Sequence, residues 1–195
     1  MGRRLFKELE RAYGFDEVAI VPGQVTINPD LTSTRMNIGD VAFDTPILAS
    51  AMDGAVSPRF ATLMHQMGGL GVLNAEGLYT RYEDPYSVLE EIISTPQEEV
   101  TQYLQQVYSE PIREDLIGQR VQEIRQSGSV CAVSFTPQNT KRMSPAAVEA
   151  GADIVVVQST VTTARHMSRS YRGLIFSELV KALRVPVVVG NCVSY

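Results

Sequence analysis

The sequence predicts an α/β fold built on a parallel sheet. Short apolar runs recur along the chain, and most are followed by a polar loop and then a helical pattern. The runs are continuous, without polar alternation, as strands covered on both faces require. The helical patterns open on Ser-Pro or Asp-Pro and tend to close on Gly, which places helix starts and stops between the strands.

After an irregular N-terminal stretch, the first strand is Pro46-Ile47-Leu48-Ala49. Ser57 and Pro58 then open a helix as N-cap and first helical residue. Phe60, Leu63, Met64 and Met67 form its expected apolar stripe, and Gly68-Gly69 ends it. The second strand is Leu70-Gly71-Val72-Leu73-Asn74. An interruption of about three helices follows: one from Asp84-Pro85, one from the capping box Thr95-Pro96-Gln97-Glu98, and one over residues 112–126. Val130-Cys131-Ala132-Val133-Ser134 is the third strand, after which Ser144-Pro145 opens a short helix that Gly151 closes. Asp153-Ile154-Val155-Val156-Val157 is the fourth strand. Ile175, Leu179 and Leu183 mark a helix face, and Val185-Pro186-Val187-Val188-Val189 is the fifth strand.

The 195 residues suffice for one domain. Hydrophobic residues are 44% and charged residues 20%, so the chain is neither disordered nor a coiled coil. No apolar run approaches the roughly 20 residues of a membrane span, and a net charge of −5 argues against a general nucleic-acid binder. Cys131 and Cys192 lack CxxC spacing and a disulfide framework, which favours a reducing cytoplasm. His65 and His166 have no second ligand at metal spacing, so no metal site is expected.

In parallel βα repeats the chemistry sits on loops at the carboxyl ends of the strands. Those loops begin here at Ser50, Asn74, Thr136, Gln158 and Gly190. A (β/α)8 barrel needs eight strands and typically ~250 residues. Five strands therefore read as the N-terminal part of a longer barrel, with a small open sheet as the alternative.

Four segments, in order, resemble the IMP dehydrogenase and GMP reductase family. They are Phe15-Asp16-Glu17-Val18-Ala19-Ile20-Val21-Pro22-Gly23, Pro46 to Asp53, Gly68-Gly69-Leu70-Gly71-Val72-Leu73, and Val187-Val188-Val189-Gly190-Asn191. The resemblance implies a (β/α)8 TIM barrel, of which residues 1–195 supply about the first five strands as part of a single catalytic domain. Residues 79–126 are a short helical connection where typical IMP dehydrogenases carry a pair of CBS modules, so the chain resembles members without that insert.

The implied activity is NAD-dependent oxidation of IMP to XMP in guanine nucleotide biosynthesis. GMP reductase, or a non-catalytic purine-nucleotide-binding paralogue, stands as the alternative. In the family a cysteine thiolate attacks C2 of the base, hydride passes to NAD, and the thioimidate is hydrolysed. That cysteine follows the sixth strand, so no catalytic residue is expected before Tyr195, and a monovalent cation would bind in the C-terminal part. A homotetramer is implied for the full-length protein.

By the same resemblance, Ser50 reaches the ribose phosphate side of the nucleotide and Met52 touches its base. Gly190 and Asn191 contact substrate at the last strand end; an amide there can both donate and accept. Gln158, Ser159 and Thr160 stand where the family holds the nicotinamide-side ribose. The family usually has Asp at the Gln158 position, and a neutral amide accepts ribose hydroxyls less strongly than a carboxylate. Asp53 and Gly54 are expected to be turn formers, and Cys131 a small buried hydrophobe. Arg165, Arg169 and Arg172 form a basic run that is either a solvated loop or a pyrophosphate or subunit contact.

Overall fold

The structure, a computed structural model, describes residues 11–162 and 173–192. The chain divides into two units, residues 1–33 and 34–195. His166 and the basic run Arg165, Arg169 and Arg172 lie outside the described residues.

The first unit has only single 3-10 turns, Phe15–Glu17 and Pro29–Leu31, among its described residues. Glu17 accepts the Gly14 N–H at 2.9 Å, and the Thr32 hydroxyl donates to the Pro29 carbonyl at 2.6 Å.

The second unit opens with an antiparallel hairpin, β1 (Met36–Ile38) and β2 (Val41–Phe43). Its sequence signal is Gly39-Asp40 between Met36-Asn37-Ile38 and Val41-Ala42-Phe43, within a stretch expected to be irregular. Five parallel strands follow in the order β3 (Leu48–Ala49), β4 (Leu70–Asn74), β5 (Ala132–Phe135), β6 (Ile154–Thr162) and β7 (Val187–Cys192). They form a curled half-barrel sheet, and the fourth and fifth expected strands run further than their apolar cores suggest.

The sheet separates two cores. Its outer face presents Leu73, Val133, Phe135 and Val155 to α1 (Pro58–Gln66), α4 (Glu114–Gln126) and α5 (Pro137–Glu149), which contribute Ala61, Ile117, Val121, Ile124, Met143 and Ala147. Beside it, Val157 packs with Leu174 and with Leu179 of α6 (Phe176–Ala182). The inner face carries Leu70, Val72, Ala132 and Ile154, closed over by Phe43, Met36, Ile38 and Val41 of the hairpin. The hairpin covers the amino ends of the strands: a side chain on Gly39 would meet Pro186, just before β7, at 2.4 Å.

Three local expectations are corrected. Phe60 and Leu63 of α1 and its C-cap Met67 are 37%, 47% and 77% exposed, whereas Pro58 and Ala61 are buried. The cause is Gly71, whose missing side chain lets the helix settle on Ala61; an added Cβ would sit 2.7 Å from the Ala61 Cα. Thr95 closes a helix and does not open one. It is the C-cap of α2 (Pro85–Ser94), its hydroxyl donating to the Glu91 carbonyl at 2.7 Å, and α3 starts later (Val100–Val107).

Ser144-Pro145 lies inside α5, which starts at Thr136-Pro137. Burial of Thr140, Met143, Ser144 and Ala147 outweighs the donor that Pro145 lacks. Asp53 stands in a turn, as expected, and is also only 8% exposed, accepting the Leu78 N–H at 3.0 Å.

Of the three helices between Tyr79 and Gln126, α4 packs on α1 and α5 as part of the outer layer. The other two, α2 and α3, are the true excursion, and they pack on each other.

Candidate functional site

Strand alternation places the site. On the inner face, Val72 pairs in register with Ala132, and Ala132 with Ile154. Two residues on, Asn74 pairs with Ser134, and Ser134 with Val156. One step further, Gln158 pairs with Gly190. Because the side-chain period of a strand is two, each inner row changes from apolar to polar toward the carboxyl ends of the strands. The barrel floor is hydrophobic and its mouth carries amides and hydroxyls.

These residues converge on a cavity of about 390 Å³ lined by Ala51, Asn74, Ser134, Phe135, Thr136, Gln158, Ser159, Thr160 and Asn191. Four of the expected site residues, Gln158, Ser159, Thr160 and Asn191, are thus brought together. Ser50, Met52 and Gly190 do not line the cavity. Ser50 and Met52 stand exposed just past β3, and Gly190 accepts a hydrogen bond from the Thr162 hydroxyl at 3.0 Å.

Asn74 and Thr136, expected only as the starts of strand-end loops, and Ser134, which the sequence does not single out, also line the cavity. Their signal is a polar residue ending an apolar run, in Leu73-Asn74 and Phe135-Thr136.

The cavity lining contains neither a carboxylate nor a cation. The Ser134 hydroxyl lies 3.4 Å from Gln158 Oε1, and Asn74 Oδ1 accepts the Glu76 N–H at 3.1 Å. Glu76 stands behind this wall. Its carboxylate accepts the Thr136 N–H at 2.6 Å, the Thr136 hydroxyl at 2.9 Å and the Asn139 amide at 2.8 Å. A negative charge there also complements the amino end of α5, whose N-cap Thr136 makes no side-chain cap of its own.

Neutral amides and hydroxyls offer both donors and acceptors, so the cavity suits ribose hydroxyls, purine edges and phosphate oxygens. A more apolar hollow of about 430 Å³ lies between α5 and α6 and holds none of the expected site residues.

Cys131 sits on the outer side of the sheet, fully buried and free. Burial, and then the nearby Asp153 charge, push its thiol up to about 12. At neutral pH it is a protonated hydrophobe, not a nucleophile. Among the described residues, no cluster of three or more His, Cys, Asp or Glu could hold a metal ion, and no helix is long and apolar enough to cross a membrane.

A half-barrel with a polar mouth at its strand ends places the chain in (β/α)8 architecture. The model of the IMP dehydrogenase / GMP reductase domain matches residues 12–195, and the chain belongs to that family.

An uncharacterised oxidoreductase of Mycolicibacterium smegmatis is 34% identical over 190 residues, covering 95% of this chain and 51% of that protein. One from Mycobacterium tuberculosis is 33% identical over the same shares. An inosine-5'-monophosphate dehydrogenase of Korarchaeum cryptofilum is 37% identical over 65 residues, 33% of this chain and 14% of that enzyme. The crystal structure of an IMP dehydrogenase/GMP reductase-like protein from Corynebacterium glutamicum superposes with a TM-score of 0.85 at 32% identity, covering 95% of this chain and 50% of that one. The chain thus spans about half the length of the oxidoreductases it matches.

Proposed function

We propose that this chain forms the first half of the nucleotide site of an NAD-dependent oxidoreductase that converts IMP to XMP for guanine nucleotide synthesis. The observation that carries the reading is the ring of Asn74, Ser134, Gln158 and Asn191 around one cavity at the carboxyl ends of four adjacent strands. Asn191 serves the purine or its ribose, with Ser50 and Met52 reaching the nucleotide from the β3 loop. Gln158, Ser159 and Thr160 hold the nicotinamide-side ribose of NAD. The residues present fit that group, since amide and hydroxyl oxygens accept ribose hydroxyls, although without the charge of a carboxylate.

When bound, NAD supplies the acceptor for the hydride that leaves C2 of the base, while water supplies the new oxygen. The chain's own part is to bind, orient and exclude solvent. By the family resemblance the nucleophilic cysteine follows the sixth strand and so belongs to the other half of the barrel, and the protonated, buried Cys131 is no candidate. A monovalent cation would also bind there. The whole enzyme works as a homotetramer, and a free buried cysteine suits the cytoplasm.

The neutral Gln158 favours a second reading, a purine-nucleotide-binding paralogue without catalysis. The test is a calorimetric titration of the chain with IMP, followed by turnover assays on the protein that joins this half-barrel to its other half. IMP binding, with XMP and NADH formed from IMP and NAD, supports the proposal. IMP and ammonia formed from GMP and NADPH make it a reductase. Binding without either conversion makes it the paralogue, and no nucleotide binding refutes the assignment of the cavity.

A further inference from the structure

The excursion of α2 and α3 reaches back to the nucleotide loop through one side chain. Tyr108, the residue after α3, donates its hydroxyl to Asp53 Oδ2 at 2.6 Å across 55 residues of sequence. The same oxygen accepts the Leu78 N–H at 3.0 Å. Asp53 Oδ1 is buried without a partner, pressed over Gly77, where an added Cβ would lie 1.9 Å away. The carboxylate therefore has no room to turn, and its contacts fix the loop that carries it.

Tyr108 is itself held firmly. The Tyr82 hydroxyl donates to the Val107 carbonyl at 2.9 Å, and Arg113 N donates to the Thr80 carbonyl at 2.8 Å. The Arg81 guanidinium stacks 5.8 Å from the Tyr108 ring centre. It also donates to the Glu110 carbonyl and, at 3.1 Å, to the Glu76 carbonyl. One chain of contacts thus runs from the β3 loop through Tyr108 and Arg81 to Glu76, whose carboxylate holds Thr136 in the cavity wall.

We infer that Tyr108 is a positioning residue: it anchors the α2–α3 excursion onto Asp53 and so holds Ser50 and Met52 in their nucleotide-binding pose. The inference rests on the reading of Ser50 and Met52 as nucleotide contacts. The loop's internal bonds are few. Met52 N donates to the Ser50 carbonyl at 2.8 Å, and Ala55 N and Val56 N share the Met52 carbonyl at 2.9 Å. Asp53 is the point where this short turn is tied to the next loop and to the excursion. Burial, followed by the bond to Asp53, raises the Tyr108 hydroxyl above its ordinary value, so it remains a donor at physiological pH. A change in the packing of α2 and α3 would therefore be felt at the nucleotide loop.

The test compares Tyr108→Phe with Tyr103→Phe on the 195-residue chain. Tyr103 lies in the same excursion and donates to Glu91, away from the loop. Hydrogen–deuterium exchange of the Met52, Ala55 and Val56 amides and calorimetric titration with IMP are the readouts. Tyr108→Phe should speed exchange at these amides and weaken IMP binding by about tenfold, the loss of one charge-assisted bond. Tyr103→Phe should change neither. Unchanged loop exchange in Tyr108→Phe overturns the inference, as does an equal loss of IMP affinity in both variants. Asp53→Asn gives an independent check: its amide oxygen can take the place of Oδ2 but without the charge, and its NH2 would lie over Gly77 with no acceptor. Exchange at the Met52, Ala55 and Val56 amides should therefore speed as in Tyr108→Phe, and unchanged exchange counts against the inference. If the unmodified chain binds no IMP, the nucleotide reading fails by itself, and the exchange arm still decides whether Tyr108 anchors the loop.

Discussion

Replacing Glu76 by alanine removes the acceptor of three hydrogen bonds that hold the start of α5 against the β4 loop. Hydrogen bonds to a charged group are worth roughly 1.5–3 kcal/mol each, but they do not add when they share one carboxylate. Glu76 is only half-buried, so water replaces part of what is lost. The loss of a helix N-cap is a close analogue, at about 0.5–2 kcal/mol. A destabilisation of about 2 kcal/mol follows from combining the two ranges. With a urea slope of roughly 2 kcal/mol per molar, the unfolding midpoint should fall by about 1 M. Glu76→Gln keeps an oxygen but no charge and should lose about half as much. Because Thr136 lines the cavity, IMP affinity should fall in parallel. Urea unfolding followed by circular dichroism reads the effect. A midpoint shift under about 0.3 M for Glu76→Ala, within the scatter of ordinary surface substitutions, would show that Glu76 does not hold the α5 start.

Three further outcomes are expected. Gly71→Val should destabilise the fold by about 1–3 kcal/mol in the same assay, because its Cβ would press on the Ala61 backbone; a neutral result would mean α1 can lift off the sheet. Cys131 should resist alkylation in the native state at mildly alkaline pH and react on unfolding, as mapped by peptide mass spectrometry. Its raised thiol gives stability that is full below the ordinary cysteine value and is lost as pH rises toward about 12, so Cys131→Ala should flatten the alkaline limb of the stability curve. In the catalytically complete protein, Gln158→Asp should lower KM for NAD by up to about tenfold and leave IMP affinity unchanged. A change for IMP alone would assign this loop to the other ligand.

The parallel α/β class and the five barrel strands were legible in the sequence, because strands covered on both faces must be continuously apolar. The starts of α1 and α2 were legible too, since Ser57 and Asp84 cap their own helices through bonds to residues three positions away. Such signals are local and survive without tertiary context. The loops that hold the cavity were marked for the same reason, as the polar ends of apolar runs.

The tertiary structure decided what depends on long-range contact. Which face of α1 is buried follows from Gly71 on the neighbouring strand, not from the helix's own periodicity. The α5 start and the tolerance of Pro145 follow from burial against the sheet. Asn74, Ser134, Gln158 and Asn191 become one lining only when parallel register aligns their strand ends. Asp53 is a turn residue, as its place before Gly54 indicates. Its second partner, Tyr108, lies 55 residues away, and a pairing at that range is set by packing, which no local pattern encodes.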